Sequence, residues 1–240
     1  MQNLNYGVIG NCSTAALISE KGAIEWLCFP EFDSPSVFAA ILDRQKGGHF
    51  GFKVTSDYKV TQSYVPHTNI LSTHFESEEG AFDVVDFMPC YPTSDGKDFY
   101  RPAEIYRYIR WAKGRPRMKV DYRPAPNYAR GKTIYNVTSQ YVETYSSVEN
   151  KDRQYLYSSL DLKKDVNHDE ITLEKDEFFL FSFNEKVIPV DIEREKLEYC
   201  RTLVYWLNWT DHAKRYTRYN EVIERSMLVL KLMTYRNGAV

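Results

Sequence analysis

Acidic side chains are the first place to look for chemistry in this chain. Glu31, Asp33, Asp83, Asp86 and Glu104 are candidates, because two carboxyl groups in different environments can divide the roles of general acid and general base. Their abundance argues against singling out one pair, since most charged side chains cap turns or face solvent. Trp26, Trp111, Trp206 and Trp209 offer flat faces on which a sugar ring can stack. The i, i+3 spacing of Trp206 and Trp209 predicts instead that they pack between a helix and a sheet. His49, His67, His74, His168 and His212 show no ligand spacing. Cys12, Cys28, Cys90 and Cys200 lie far apart with no CxxC pair, so no metal and no cofactor is expected. No glycine-rich phosphate loop, GxSxG or nucleophilic Cys/His pairing is present.

The charge balance narrows the partners. A net charge of −2 supplies no basic field for a nucleic acid or an anionic membrane. Met1–Tyr6 has neither the basic nor the apolar region of a secretory signal, and no apolar run is long enough to span a bilayer. With four cysteines, this predicts a cytoplasmic chain whose thiols stay reduced. Asn11-Cys12-Ser13, Asn136-Val137-Thr138 and Asn208-Trp209-Thr210 match the glycosylation pattern by accident under that reading.

The elements that must position these residues are mainly strands. The aromatic content of 15% suits them. Ala15–Ser19 and Ala23–Phe29 form a predicted hairpin, with Gly22 free to take positive φ in the turn. Ser34–Asp43 reads as a helix, capped by Ser34, opened by Pro35 and ended by Gly47-Gly48. Strands are predicted at Gly51–Val54 and Asp57–Tyr64, and a second hairpin at Asn69–Glu76 and Ala81–Phe87. In Glu104–Trp111, Arg107 interrupts the face formed by Ile105, Ile109 and Trp111, which predicts a strand sandwiched between sheets. Met118–Arg123, Thr133–Val142, Tyr155–Leu162, Ile171–Leu173 and Phe178–Phe183 continue the series; the last is apolar on both faces, as in a strand buried between layers. Met88–Pro102 and Arg123–Lys132 read as loops of the kind that carries function.

Near residue 191 the period changes. Asp191–Ala213 lacks Gly and Pro, and Leu197, Cys200, Val204 and Leu207 recur at helical spacing, with Asp191 and Glu193 at the positive end of the dipole. A second helix is predicted over Thr217–Tyr235, with Tyr219, Val222, Ile223, Met227, Leu230 and Met233 on one face. A helix this apolar needs neighbours on several sides. The expectation is an unfinished helical domain, or a homo-oligomer that covers the face in trans. The predicted fold class is mainly β, a large antiparallel β-sandwich over residues 1–190 followed by helices.

Three blocks carry a resemblance. Tyr6–Ile18 contains Gly10-Asn11-Cys12-Ser13-Thr14-Ala15-Ala16-Leu17. Gly22–Pro30 follows, and then Phe32–Asp43. Together they resemble the pattern G-x-I-D-W-L-C-x-P-R-F-D-S-P-S-V-F-A-x-L-L-D of family 15 glycoside hydrolases, the glucoamylase and trehalase-like enzymes. Tyr64, Thr68–Thr73, Val85–Pro89 and Arg225–Thr234 are further matches, whereas residues 95–190 agree only in style. Glu25 stands where Asp is usual, and Glu31 where Arg is frequent.

The resemblance implies a supersandwich over residues 1–190, a helical linker over 191–214, and the first helix of a truncated (α/α)6 barrel over 215–240. It implies an enzyme whose two barrel glutamates hydrolyse terminal α-glucosidic bonds with inversion, on an α-glucosidic oligosaccharide or trehalose. No catalytic residue is assigned in this chain, which alone is expected to be inactive and to serve by packing against its own barrel. The Glu31–Ser34 loop is the best candidate to border the sugar pocket, with Phe32, Asp33 and Trp26 as substrate-binding candidates. The alternative is a stand-alone carbohydrate-binding or oligomerisation sandwich.

Overall fold

Strand β11 (Glu104–Gly114) shows why the chain folds in layers. Ile105, Arg107 and Ile109 on one side and Tyr106 and Tyr108 on the other are all buried, so the strand is covered on both faces. The computed structural model describes residues 4–149, 151–162, 169–187 and 190–239; His168 lies outside them. β11 belongs to an eight-stranded sheet. Its order is β13 (Thr133–Val137), β14 (Val142–Ser146), β15 (Gln154–Ser158), β17 (Glu177–Phe183), β11, β8 (Gly80–Phe87), β7 (Leu71–Glu76) and β6 (Lys59–Tyr64). A seven-stranded sheet faces it. It runs β1 (Tyr6–Gly10), β2 (Ala15–Ser19), β3 (Ile24–Cys28), β5 (His49–Lys53), β12 (Arg117–Arg123), β16 (Glu170–Thr172), with β4 (Ser36–Phe38) paired to β3. Every paired strand runs antiparallel to its neighbours.

The inner faces of the two sheets form one aromatic-rich core. Phe29, Phe38, Phe50, Phe75, Phe82, Phe179 and Phe181 are buried in it, and Phe75 stacks on Phe82 at 4.7 Å between centroids. Arg107 crosses this core. Its Nε donates to Asp86 Oδ1 at 2.7 Å, its Nη1 to the Phe50 carbonyl at 2.6 Å, and its Nη2 to the Gly22 carbonyl. The guanidinium also lies 4.7 Å and 4.8 Å from the ring centroids of Phe50 and Phe52. A charge from one sheet thereby bonds the backbone of the other, which explains why Arg107 interrupts an otherwise apolar face.

The outer face of the larger sheet is covered by two helices, α1 (Ile192–Asp211) and α2 (Asn220–Met233). Together they bury Val85, Phe87, Tyr106, Tyr108, Phe178 and Leu180 with Tyr205, Trp206, Leu228 and Leu232. Asp191 caps α1 by accepting from the Arg194 N–H at 2.8 Å. Trp206 is buried between helix and sheet, and Trp209 packs against it. The two predicted hairpins are present in register, with Gly22 at φ 73° in the first turn.

Three expectations are corrected. Ser34–Asp43 is not a helix: Ser36–Phe38 is strand β4, paired with Leu27 and Cys28, and a turn follows. Pairing lets Ser36, Val37 and Phe38 all be buried, which a surface helix cannot do. Ser34 Oγ accepts from the Glu31 N–H at 3.0 Å and so closes the turn before it, rather than capping a helix after it. Thr133–Val142 is not one strand but the hairpin β13–β14, turned around Thr138–Tyr141.

The third correction concerns the helices. On α1 the apolar stripe faces outward: Leu197, Cys200, Val204 and Leu207 are exposed, while Glu195, Glu198 and Thr202 are buried. The outer face of the sheet explains this inversion. Tyr106 and Glu104 take Arg194, and Tyr91 takes Glu198, so part of the polar side of the helix finds partners beneath it, while Glu195 and Thr202 are buried there without a hydrogen bond among the described residues. On α2 the buried positions are Leu228 and Leu232, not the predicted face, of which Tyr219, Val222 and Leu230 are exposed.

Candidate functional site

The residues singled out by their motifs converge on α2. Gly10 ends β1 directly under Leu232; a Cβ there would lie 2.6 Å from the Thr14 carbonyl and 2.8 Å from Leu232 Cδ2. Only glycine permits that approach. Cys12 Sγ donates to the Lys231 carbonyl at 3.4 Å. Asn69 Nδ2 donates to the Leu228 carbonyl at 3.0 Å. Arg225 reaches back with Nη1 to the Thr68 carbonyl at 2.8 Å and with Nη2 to Asn69 Oδ1. Its guanidinium lies 3.9 Å from the centroid of Tyr64, whose hydroxyl accepts from the Val8 N–H. The fully buried Asn11 accepts from the Ser13 and Thr14 N–H groups and donates to the Pro102 carbonyl. Its amide is therefore committed to the fold and sits where no glycan can be attached.

Arg225 had no role assigned from sequence, yet it is the polar anchor of α2. The signals were a cation inside an apolar helix and its place at the start of the matching block Arg225–Thr234. Arg225→Ala is expected to weaken docking of α2 by about 2 kcal/mol, from a charged hydrogen bond and a cation–π contact. Hydrogen exchange would then quicken in the amides of α2 and not in those of β8 or β11. Unchanged exchange in α2 would mean that Leu228 and Leu232 hold the helix unaided.

The loop Glu31–Ser34 meets the chain that follows α2. Tyr235 Oη donates to Glu31 Oε1 at 2.5 Å, Arg236 pairs with the same oxygen at 3.5 Å, and the rings of Phe32 and Tyr235 meet edge to face at 6.4 Å. The bond to Glu31 raises the Tyr235 hydroxyl pKa. The Phe32 N–H donates to the Ser13 carbonyl at 3.0 Å, which joins this loop to the turn before β2. Asp33 is exposed at the tip, and its charge, after burial, helps to push the Cys28 thiol up. Phe32 and Asp33 thus share one loop end. Trp26 does not join them: it is half-buried on β3 opposite Leu17, with no ring contact to either among the described residues.

A second feature lies along α1. A groove of about 1460 Å3 runs between α1 and the short hairpin of β9 (Tyr91–Pro92) and β10 (Phe99–Tyr100). Leu197, Val204, Tyr205 and Trp209 form one wall and Tyr91, Phe99 and Tyr100 the other. Tyr91 Oη donates to Glu198 Oε2 at 2.7 Å under the Arg201 guanidinium. Burial first, and then nearby Glu104 and Glu198, push the Tyr100 hydroxyl up to about 12. The loop Met88–Pro102 therefore supplies an aromatic wall, which its prolines had hidden.

Four of the five candidate carboxylates are committed to partners within the domain. Asp86 is bound by Arg107, Asp83 by Arg110 and His74, Glu104 by Tyr106 and Arg194, and Glu31 by Tyr235 and Arg236. Among the described residues, no group of three or more His, Cys, Asp or Glu could hold a metal ion. No described helix is long and apolar enough to cross a membrane.

The family profile described as "Trehalase-like, N-terminal" matches residues 5–158. The chain belongs to that family. This trehalase-like N-terminal domain is 29% identical to a trehalase of Thermoplasma acidophilum over 228 residues, 91% of this chain and 38% of the relative. It is 28% identical to a trehalase of Thermoplasma volcanium over 241 residues, 96% of this chain and 37% of the relative. Over 85 residues, 35% of this chain and 14% of the relative, it is 51% identical to trehalase 1 of Sulfolobus acidocaldarius. The domain thus spans less than two-fifths of the length of these curated relatives. The resemblance carried by Gly10–Leu17 and Gly22–Asp43 is borne out, and some of the matching residues of this trehalase-like domain, Gly10, Cys12, Tyr64, Thr68 and Asn69, bind α2.

Proposed function

We propose that this domain is the sandwich portion of a family 15 glycoside hydrolase that cleaves trehalose with inversion, and that it serves by bracing the catalytic barrel. In this reading residues 1–190 are the sandwich, 191–214 the linker, and α2 the first helix of an (α/α)6 barrel. The observation that carries it is the latch of Tyr64, Thr68, Asn69 and Cys12 on α2, which fixes one helix and leaves Val222 and Leu230 facing outward. The exposed apolar stripe of α1 supports the same arrangement, since such a surface calls for a covering partner. The names of the relatives support trehalose over other α-glucosides. Catalysis would need a carboxylic acid at the leaving oxygen and a carboxylate that activates water about 6.5–9.5 Å away. The proposal places both in the barrel and neither in this domain. Four free cysteines support a reducing, cytoplasmic setting.

The loop that carries Phe32 and Asp33 is then the part of the sandwich that borders the sugar pocket. Phe32→Ala and Asp33→Asn, made in the full-length enzyme, are each expected to lower kcat/KM for trehalose by about tenfold, the weight of one lost contact at the transition state. Unchanged turnover with intact thermal stability would confine the loop to a structural role. The aromatic groove favours a second reading, a free-standing sugar-binding sandwich. Titration of this chain with trehalose and maltooligosaccharides separates the two: saturable binding at the groove supports the second, and no heat change supports the bracing role.

A further inference from the structure

The loop between β12 and β13 turns in a way that few residues tolerate. Asn127, Tyr128 and Ala129 have φ 56°, 58° and 55°. Such angles press a Cβ toward the following carbonyl, so glycine is the residue that usually adopts them. Each other non-glycine residue of positive φ among the described residues stands alone. Three in succession persist only where neighbouring contacts over-determine the backbone. Those contacts are present. The Ala125 N–H donates to the Val37 carbonyl at 2.9 Å, and the Tyr128 N–H to the Ser36 carbonyl at 3.2 Å. Within the turn, the Ala129 N–H donates to the Ala125 carbonyl at 3.1 Å and the Arg130 N–H to the Asn127 carbonyl at 3.1 Å. Thr133 Oγ1 donates to the Pro124 carbonyl at 2.7 Å and closes the loop. Pro124 and Pro126 are buried.

What this frame holds out to solvent is an aromatic ring and a cation. Tyr128 is 48% exposed and Arg130 is exposed beside it, with its guanidinium 5.2 Å from the centroid of the Tyr128 ring. No carboxylate pairs with Arg130 among the described residues, so its N–H donors are uncommitted. An exposed pair buries too little surface to offset a strained turn, and packing therefore does not account for it. The turn also has a telling place. Ser36, whose carbonyl takes the Tyr128 N–H, opens β4 two residues beyond Ser34 and pairs with Cys28 of β3. The left-handed turn thus lies beside the strand that leaves the Glu31–Ser34 loop. Phe32 and Asp33 on the one segment, and Tyr128 and Arg130 on the other, are presented from the same end of the sandwich.

We propose that Tyr128 and Arg130 are further substrate contacts of the sugar pocket, the Tyr128 ring packing against the C–H face of a glucose unit and the Arg130 guanidinium donating to its hydroxyl oxygens. These contacts rest on the reading that the Glu31–Ser34 loop borders that pocket, and they add a second segment of the sandwich to the same border. The pair suits an uncharged sugar. A pyranose ring offers C–H faces that match an aromatic plane, and hydroxyl oxygens around its edge that accept from a fork of N–H donors. The left-handed turn fixes the backbone under both side chains before the sugar arrives, so less ordering is left to be done on binding. The strained conformation is in this way put to use at the surface, where loops that carry recognition are found.

The test compares Tyr128→Ala, Tyr128→Phe, Arg130→Met and Phe32→Ala in the full-length enzyme, by steady-state kinetics on trehalose and a thermal melt of each. Tyr128→Ala and Arg130→Met are each expected to lower kcat/KM about tenfold, mainly through a higher KM, at an unchanged melting temperature. Tyr128→Phe keeps the ring and should stay within about twofold of the wild type. A loss in Phe32→Ala with wild-type kinetics in Tyr128→Ala and Arg130→Met would overturn the assignment of Tyr128 and Arg130 and leave the pocket reading standing. Wild-type kinetics in all four variants would remove the pocket reading, and this assignment with it. A loss that comes with a lower melting temperature, and that Tyr128→Phe shares in full, would make the turn structural and overturn the sugar contact.

Discussion

Asp86→Ala should cost about 3–5 kcal/mol of folding free energy, a large part of the margin of an ordinary domain. The reason is Arg107. Both side chains are fully buried, and their Nε to Oδ1 distance is 2.7 Å. Removing the carboxylate leaves a guanidinium in a phenylalanine core, with only the Phe50 and Gly22 carbonyls for compensation. A urea titration reads the loss as a lower midpoint at unchanged slope. The double variant Asp86→Leu with Arg107→Met should recover much of it, because no charge is then stranded. A loss below about 1 kcal/mol in the single variant would mean that water reaches the guanidinium and that the sheets are not closed over it.

Glu195→Met has the opposite expected sign: a substitution at a buried helical position that stabilises the domain. Glu195 is 1% exposed, and neither carboxyl oxygen has a hydrogen-bond partner among the described residues. Burial, and then the charges of Asp86, Glu104 and Glu198, raise its pKa well above the ordinary 4.5. The folded chain therefore holds a proton that the unfolded chain gives up. Stability is greatest below the unfolded value and falls as pH rises from about 4.5 toward the raised folded value. Methionine fills similar space without that cost, and the gain at neutral pH should be about 1–4 kcal/mol. Thermal melts of both chains across the pH range would show curves that converge in acid and separate toward neutrality. A constant gap, or a loss at neutral pH, would mean that Glu195 is ionised and bonded.

Asp121 contributes in the other direction. Burial opposes its charge, yet Lys53, His49 and Arg123 hold its carboxyl well below the usual range. Its stabilisation is present at neutral pH and is lost as pH falls through that low value. Asp121 thus contributes to the acid limb of a stability profile, together with carboxylates such as Glu79 and Glu143 whose pKa values are also lowered, and Glu195 to the limb above it.

Much of the sandwich was legible. Hairpins β2–β3 and β7–β8 announced themselves through alternation and a turn glycine, and β17 through its apolar faces, since strand period and turn chemistry are local properties. The interrupted face at Arg107 indicated two sheets, although nothing along β11 named Asp86, Phe50 or Gly22 as its partners. The candidate loop was half legible. Phe32 and Asp33 could be singled out by motif, but the Tyr235 and Arg236 contacts to Glu31 join segments remote in sequence, and Trp26 remained on its strand.

The helix expected at Ser34–Asp43, where the structure has strand β4 and a turn, shows where local rules stop. Ser34 and Pro35 are sound helix-opening residues, but Val37 and Phe38 are buried more completely by pairing with β3, and tertiary burial outweighs propensity. The same competition turned α1 around. Its helical period was readable, but the side it buries depends on the tyrosines and carboxyls that wait on the outer sheet. The sequence alone determined most element types, most strand boundaries and the family, because these rest on periodicity, turns and short motifs. Only the tertiary structure decided which helix faces are covered, and that Gly10, Cys12, Tyr64, Asn69 and Arg225 form one latch. Those outcomes are set by the partners that folding brings across, which one-dimensional spacing does not encode.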